Sequence, residues 1–177
     1  METTKRTKLG KILDSDSGGT IREVQAAPAP MREFLCFLLG EENYGVEAFQ
    51  VNEIIPNQAI NPVPCTPDWI LGAIYFRGQI LPIVDLKNLL GLPGSQSSPQ
   101  SRILIVQSQD ISAGIKADQV YEITQIPADK IQAPLTVLEK IKSDYLLGEV
   151  LLNDRLIILL NLDKIIEGAR IQRRKTS

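Results

Sequence analysis

Apolar and polar positions fall in short blocks along this chain. Phe34-Leu35-Cys36-Phe37-Leu38-Leu39 is an unbroken apolar run bounded by Gly40-Glu41-Glu42-Asn43, after which Tyr44-Gly45-Val46-Glu47 resumes. The pattern predicts strand, turn and strand. Val51, Ile54 and Ile55 carry the apolar content on to Pro56-Asn57. Ile60 and Val63 alternate around Asn61 and Pro62, which suits a short edge strand. Thr66-Pro67-Asp68-Trp69-Ile70-Leu71-Gly72 predicts one helical turn, with Thr66 as N-cap, Pro67 first in the helix, Trp69 in the core and Gly72 at the end. From Gly72 to Leu86, two apolar runs flank a single Arg77-Gly78 pair. Two buried strands joined by a tight turn fit that pattern, with glycine supplying the positive φ. Asp85 is expected to cap a short helix, Leu86 to Leu90, closed by Gly91.

The second half of the chain repeats the first. Ile103-Leu104-Ile105-Val106 reads as a strand. Ala113-Gly114-Ile115-Lys116 through Val120-Tyr121-Glu122-Ile123 matches Tyr44 through Ile54 at a constant offset of 69. Gly148 to Leu162 matches Gly72 to Leu86 at an offset of 76, so seven extra residues lie between, assigned to the stretch around 127–147. Asn153-Asp154 stands where Arg77-Gly78 stood, Asn161 replaces Asp85 as helix cap, and Gly168 is expected to close its helix as Gly91 closes the first. Self-similarity of this kind is the mark of a duplication. Each half carries about five short strands, which favours a small barrel. Five strands bury little alone, so the halves should pack on each other. The expected fold is mainly β: two five-stranded SH3-like barrels related by a pseudo-two-fold, with short helices and a groove where they meet. The expected boundaries are a disordered tail at 1–31, a domain at 32–168 and a basic tail at 169–177. Within the domain, one barrel is placed at about 32–92, a Gly/Ser/Pro-rich linker at 93–101 and the second barrel at 102–168.

Composition narrows the chemistry. The chain has no histidine, which removes the usual general base, the usual zinc ligand and any phosphohistidine. Cys36 and Cys65 sit in no metal spacing and are expected to be reduced and structural. No cofactor is expected. No apolar run reaches about 18 residues and the N-terminal stretch lacks an apolar signal core, so the expected location is the cytoplasm. Between Glu33 and Ser101 the only basic residues are Arg77 and Lys87, against seven acids. Arg77, at the tip of an apolar hairpin, is thus singled out as a candidate binding residue. An enzyme using Glu53 with Asp85 or Glu122 lacks a loop that would bring two acids beside a nucleophile. A small barrel that binds nucleic acid, the alternative reading, needs aromatic platforms among basic residues, whereas aromatics make up 5% and residues 33–101 are acidic.

The ordered set Phe34–Leu39, Tyr44-Gly45-Val46-Glu47, Val51-Asn52-Glu53-Ile54-Ile55, Val63-Pro64, Pro67–Gly72 and Arg77–Leu86, together with the duplication, resembles the CheW adaptor family over roughly residues 33–168. The resemblance implies a non-enzymatic coupler with two facing five-stranded barrels. It implies two partners: the regulatory domain of a CheA-type histidine kinase and the cytoplasmic hairpin tip of a chemoreceptor. Nucleic acid is not among them, and contact with the membrane is only indirect, through receptors. Val51, Glu53 and Arg77, with Gly78 beside it, align with the family's partner-binding positions. Val120 and Ile123 resemble positions in its receptor-facing groove. The family usually has Asn-Leu before the Arg-Gly pair, where this chain has Tyr75-Phe76.

Overall fold

The computed structural model describes residues 28–94, 98–134 and 143–174, with side chains as far as Gly168. In chain order the elements are β1 (Met31–Leu39), β2 (Glu42–Glu47), β3 (Val51–Pro56), β4 (Ile70–Phe76), β5 (Gln79–Val84), α1 (Leu86–Leu90), β6 (Arg102–Ser108), β7 (Ile111–Ala117), β8 (Gln119–Pro127), β9 (Leu146–Leu152), β10 (Arg155–Leu160) and α2 (Leu162–Arg174). They form two five-stranded sheets, β8-β1-β2-β10-β9 and β3-β6-β7-β5-β4, called barrel I and barrel II below. Replacing each strand of one sheet by its repeat counterpart gives the strand order of the other. The registers repeat as well. Gly45 lies opposite Leu159 in the parallel β2–β10 pair, and Gly114 lies opposite Ile83 in the parallel β5–β7 pair.

The pairing corrects the expected boundaries. Barrel II is the continuous stretch β3 to β7, while barrel I combines β1 and β2 with β8 to β10. The join between the two repeats therefore falls inside barrel II, between β5 and β6. The chain crosses between barrels at a 3-10 turn, Ala48–Gln50, and at Asp118. Each half supplies two strands to one barrel and three to the other.

The packing of the two barrels on each other explains the unbroken apolar runs. Side chains alternate across a strand. In β1, Phe34 and Cys36 enter the core of barrel I with Ile126, Val150, Ile157 and Leu159. Leu35, Phe37 and Leu39 face the other way, into a central core shared with Leu104, Val106 and Ile115 of barrel II. Barrel II has its own core of Ile74, Leu81, Ile83, Ile103 and Ile105. Strands buried on both faces lose the polar alternation of a one-sided sheet. The helices cover the central core with Leu86, Leu90, Leu162, Ile165 and Ile166, and Trp69 packs against it, partly buried.

Local expectations met mixed outcomes. Asp85 caps α1, its carboxylate accepting from Lys87 N and Asn88 N at 3.0 and 3.3 Å, and Gly91 ends the helix at φ 69°. Asn161 Oδ1 accepts from Lys164 N at 3.2 Å in the same role on α2. No strand forms at Ile60–Val63; only an isolated bridge, Asn61 to Ala73, is made there. Its mate is the bridge from Gln132 to Glu149. Residues 66–72 are not a helical turn: Thr66 Oγ1 donates to Val63 O, and β4 begins at Ile70. The reason is that Gly72 is needed elsewhere. At φ 142° its backbone lies against Asn61, and Gly148 at φ 157° lies against Gln132, where an added Cβ would come within 2.5 Å of a carbonyl oxygen. Gly168 does not stop α2, which runs on to Arg174; a Cβ there would collide with Tyr145, so packing rather than helix termination requires it. Met31 already pairs with Pro127, so the tail is shorter than 1–31. Residues 1–27, most of the proposed tail, lie outside the described residues, as do 95–97 of the linker, 135–142 of the insertion, and the side chains of the basic segment 169–177.

Candidate functional site

The β4–β5 hairpin turns at Arg77-Gly78, both with positive φ, 46° and 82°. That conformation matches the twist of the flanking strands and is easy for glycine. Arg77 is thereby lifted clear of the barrel, its side chain 73% exposed. Its Nη2 lies 2.7 Å from Glu53 Oε2 on β3, and its guanidinium sits 5.2 Å from the Phe76 ring centroid. An exposed ion pair of this kind contributes about 0–1 kcal/mol to folding. Its energetic weight would come on association, when water is removed from it.

Beside this pair, at the junction of the barrels, is a groove of about 230 Å³. Val51, Glu53 and Ile54 of barrel II and Leu35 and Ile123 of barrel I line it. The sequence-predicted residues Val51, Glu53 and Ile123 are thus brought together, and Arg77 and Gly78 join them through the Glu53 ion pair. Val120 is not among the groove's lining residues. It is half-buried against the central core, as is its repeat mate Val51. Three contributors were missed from sequence. Ile54, 43% exposed, is the repeat mate of Ile123, which is 58% exposed, and the offset of 69 that selects one selects the other. Leu35 was read only as part of a strand, since nothing in an apolar run says which face opens to solvent. Phe49, 78% exposed at the first crossover, adds a large apolar surface next to Ala48 of the groove. Exposed aromatic and aliphatic side chains gathered beside a charge are the makings of a protein-binding surface rather than of a catalytic centre.

The repeat counterpart of this face has different chemistry. Asn153-Asp154 forms the same kind of turn, at φ 48° and 62°, but Asn153 offers Glu122, the mate of Glu53, no charge. Both cysteines are free, Cys36 buried and Cys65 exposed. Burial pushes the Cys36 thiol above its ordinary range; a hydrogen bond with Thr124 lowers it and the Glu122 carboxylate raises it further. Among the described residues no helix is long and apolar enough to cross a membrane.

The CheW-like domain family matches residues 33–170 of the chain. Protein FrzA of Myxococcus xanthus is 33% identical over 152 residues, 84% of this chain and 94% of that protein. The chemotaxis protein CheW of Klebsiella aerogenes is 29% identical over 137 residues, 77% of this chain and 82% of that protein. The crystal structure of the scaffolding protein TtCheW from Thermoanaerobacter tengcongensis matches with a TM-score of 0.68 at 32% identity, over 81% of this chain and 91% of that chain. With this double-barrel register, and with one domain family matching residues 33–170 beside relatives that are chemotaxis and scaffolding proteins, the chain belongs to the CheW family.

Proposed function

We propose that this protein is a non-enzymatic adaptor of the cytoplasm that couples a CheA-type histidine kinase to chemoreceptors. Val51, Glu53, Arg77 and Gly78 form one docking surface. The groove holding Ile123, with Val120 behind it, takes the helical hairpin tip of a receptor. It reaches the membrane only through that receptor, and it needs no cofactor. The observation that carries the reading is the Arg77–Glu53 pair at a hairpin tip beside an apolar groove. The charges give register and the groove gives apolar area, the division of labour of a specific protein interface. A groove between two rigid barrels also suits an amphipathic helix, which offers apolar anchors along one face.

The test is Arg77→Glu, measured on folded protein against the kinase regulatory domain and against a receptor hairpin. Reversing an interfacial charge leaves Glu53 facing a like charge. Binding to at least one partner should fall by about tenfold or more, the effect of about 1.4 kcal/mol. The circular-dichroism spectrum should be unchanged. Unaltered affinity for both partners would sink the assignment of this face. Glu53→Lys should weaken the same interaction, and the double reversal should recover part of it.

A further inference from the structure

Barrel I has an open mouth where barrel II has side chains. The cavity there measures about 630 Å³, inside the range of roughly 300–1,000 Å³ typical of small-molecule sites. Its walls include Cys36, Thr124, Leu152 and Ile157, with Glu122 and Arg155 also lining it. The repeat offsets identify the equivalent positions in barrel II. Ile105 stands for Cys36, Ile55 for Thr124 and Phe76 for Leu152. Those three larger side chains belong to the core of barrel II or pack against it, and Arg77, ion-paired with Glu53, lies over the Phe76 ring. In barrel I each is replaced by a smaller residue, and the covering ion pair is lost because Asn153 stands in place of Arg77. The cavity is the sum of these replacements. It is bounded by buried Cys36 and Ile157 and reaches solvent past Glu122 and Arg155, which are exposed.

The charges at the mouth set the class of ligand. Glu122 and Arg155 line one cavity but do not form an ion pair with each other. Arg155 instead lies 5.9 Å from the centroid of the Tyr121 ring. Glu122 is close enough to the Cys36 thiol to raise its pKa. A cation would meet Arg155 and an anion would meet Glu122, so a ligand of single charge gains at one end and loses at the other. A molecule carrying both charges gains at both. Between them, Leu152 and Ile157 offer apolar wall, while Thr124 and Asn43 offer hydrogen-bonding groups. We infer that the mouth of barrel I binds a small zwitterion, an amino acid or short peptide, with its ammonium toward Glu122, its carboxylate toward Arg155 and an apolar side chain against Leu152 and Ile157. The site is separate from the Arg77 face and does not depend on the adaptor reading.

The experiment is calorimetric titration of the full chain with leucyl-leucine at millimolar concentration. Two capped forms serve as comparisons: N-acetyl-leucyl-leucine, which lacks the ammonium, and leucyl-leucinamide, which lacks the carboxylate. The free dipeptide should bind about tenfold more tightly than either capped form. Glu122→Gln should abolish its advantage over the acetylated form alone, and Arg155→Gln its advantage over the amide alone. Thr124→Ile, which copies barrel II, should abolish binding. A Thr124→Ile protein that fails to fold does not remove the test, since the two exposed-charge variants carry it alone. No heat of binding with the free dipeptide, or equal binding of free and capped forms, overturns the inference. So does binding that neither charge variant alters.

Discussion

The two crossovers between the barrels occupy equivalent places in the repeat and are fastened differently. At the second, Lys87 of α1 forms an ion pair with Asp118, whose Oδ2 also accepts from Gly40 N at 2.7 Å. Both side chains are largely withdrawn from water, 10% and 17% exposed. At the first, the residue of α2 equivalent to Lys87 is Asp163. It accepts from Gln50 Nε2 at 2.9 Å and from Ser108 Oγ at 2.5 Å. Here the carboxylate remains exposed while Gln50 and Ser108 are buried. One fold therefore tolerates a buried ion pair and a hydrated carboxylate in the same structural role. What is preserved is a polar link from the start of a helix to the segment that changes barrels. The hairpin tips teach the same lesson from the surface: equal backbones, with a charge presented at one and none of that sign at the other.

If the barrels are equivalent where backbone meets backbone, Gly72→Ala and Gly148→Ala should each destabilise the protein by about 2–4 kcal/mol in urea denaturation, since a Cβ strikes a carbonyl at a φ that L residues avoid. A large cost at one site and none at the other would show that only one close approach matters. The crossovers should differ next. Lys87→Met leaves Asp118 facing an apolar side chain and should cost about 3 kcal/mol. Gln50→Ala leaves Asp163 in water and should cost only about 1 kcal/mol. Equal losses would mean that the two fastenings are energetically alike despite their difference in burial. The hairpin tips should show the smallest changes. Gly78→Ala at φ 82° should cost about 1 kcal/mol, while Asp154→Gly, which relieves a non-glycine residue at φ 62°, should change stability by less than about 1 kcal/mol and in the opposite sense. A stabilising Gly78→Ala would contradict the turn assignment.

Much of the site was legible because it depends on local signals. Arg77-Gly78 between two apolar runs specifies a tight turn, and a residue at such a tip is exposed whatever the rest of the chain does. Arg77 stands out by charge scarcity alone, and the structure places it 2.7 Å from Glu53, which only the family resemblance marks as partner-binding. The groove was only partly legible. The resemblance aligns Val51 with partner-binding positions and likens Val120 to the receptor-facing groove, yet each packs on the central core, and only Val51 also lines the groove. Exposure depends on what lies across the barrel junction, and a strand buried on both faces carries no mark of which side will open.

The duplication, most of the short strands, both helix caps and the hairpin turns are legible in one dimension, because each rests on contacts between residues near in the chain or on the repeat itself. The tertiary structure decided which strands share a barrel. A half-chain of five strands could close on itself or exchange strands with the other half, and both arrangements bury the same apolar runs. The four pairings between the halves, β1 with β8, β2 with β10, β3 with β6 and β5 with β7, choose the second. That choice sets the crossovers at 48–50 and 118 and brings Ile54 and Ile123 to one junction.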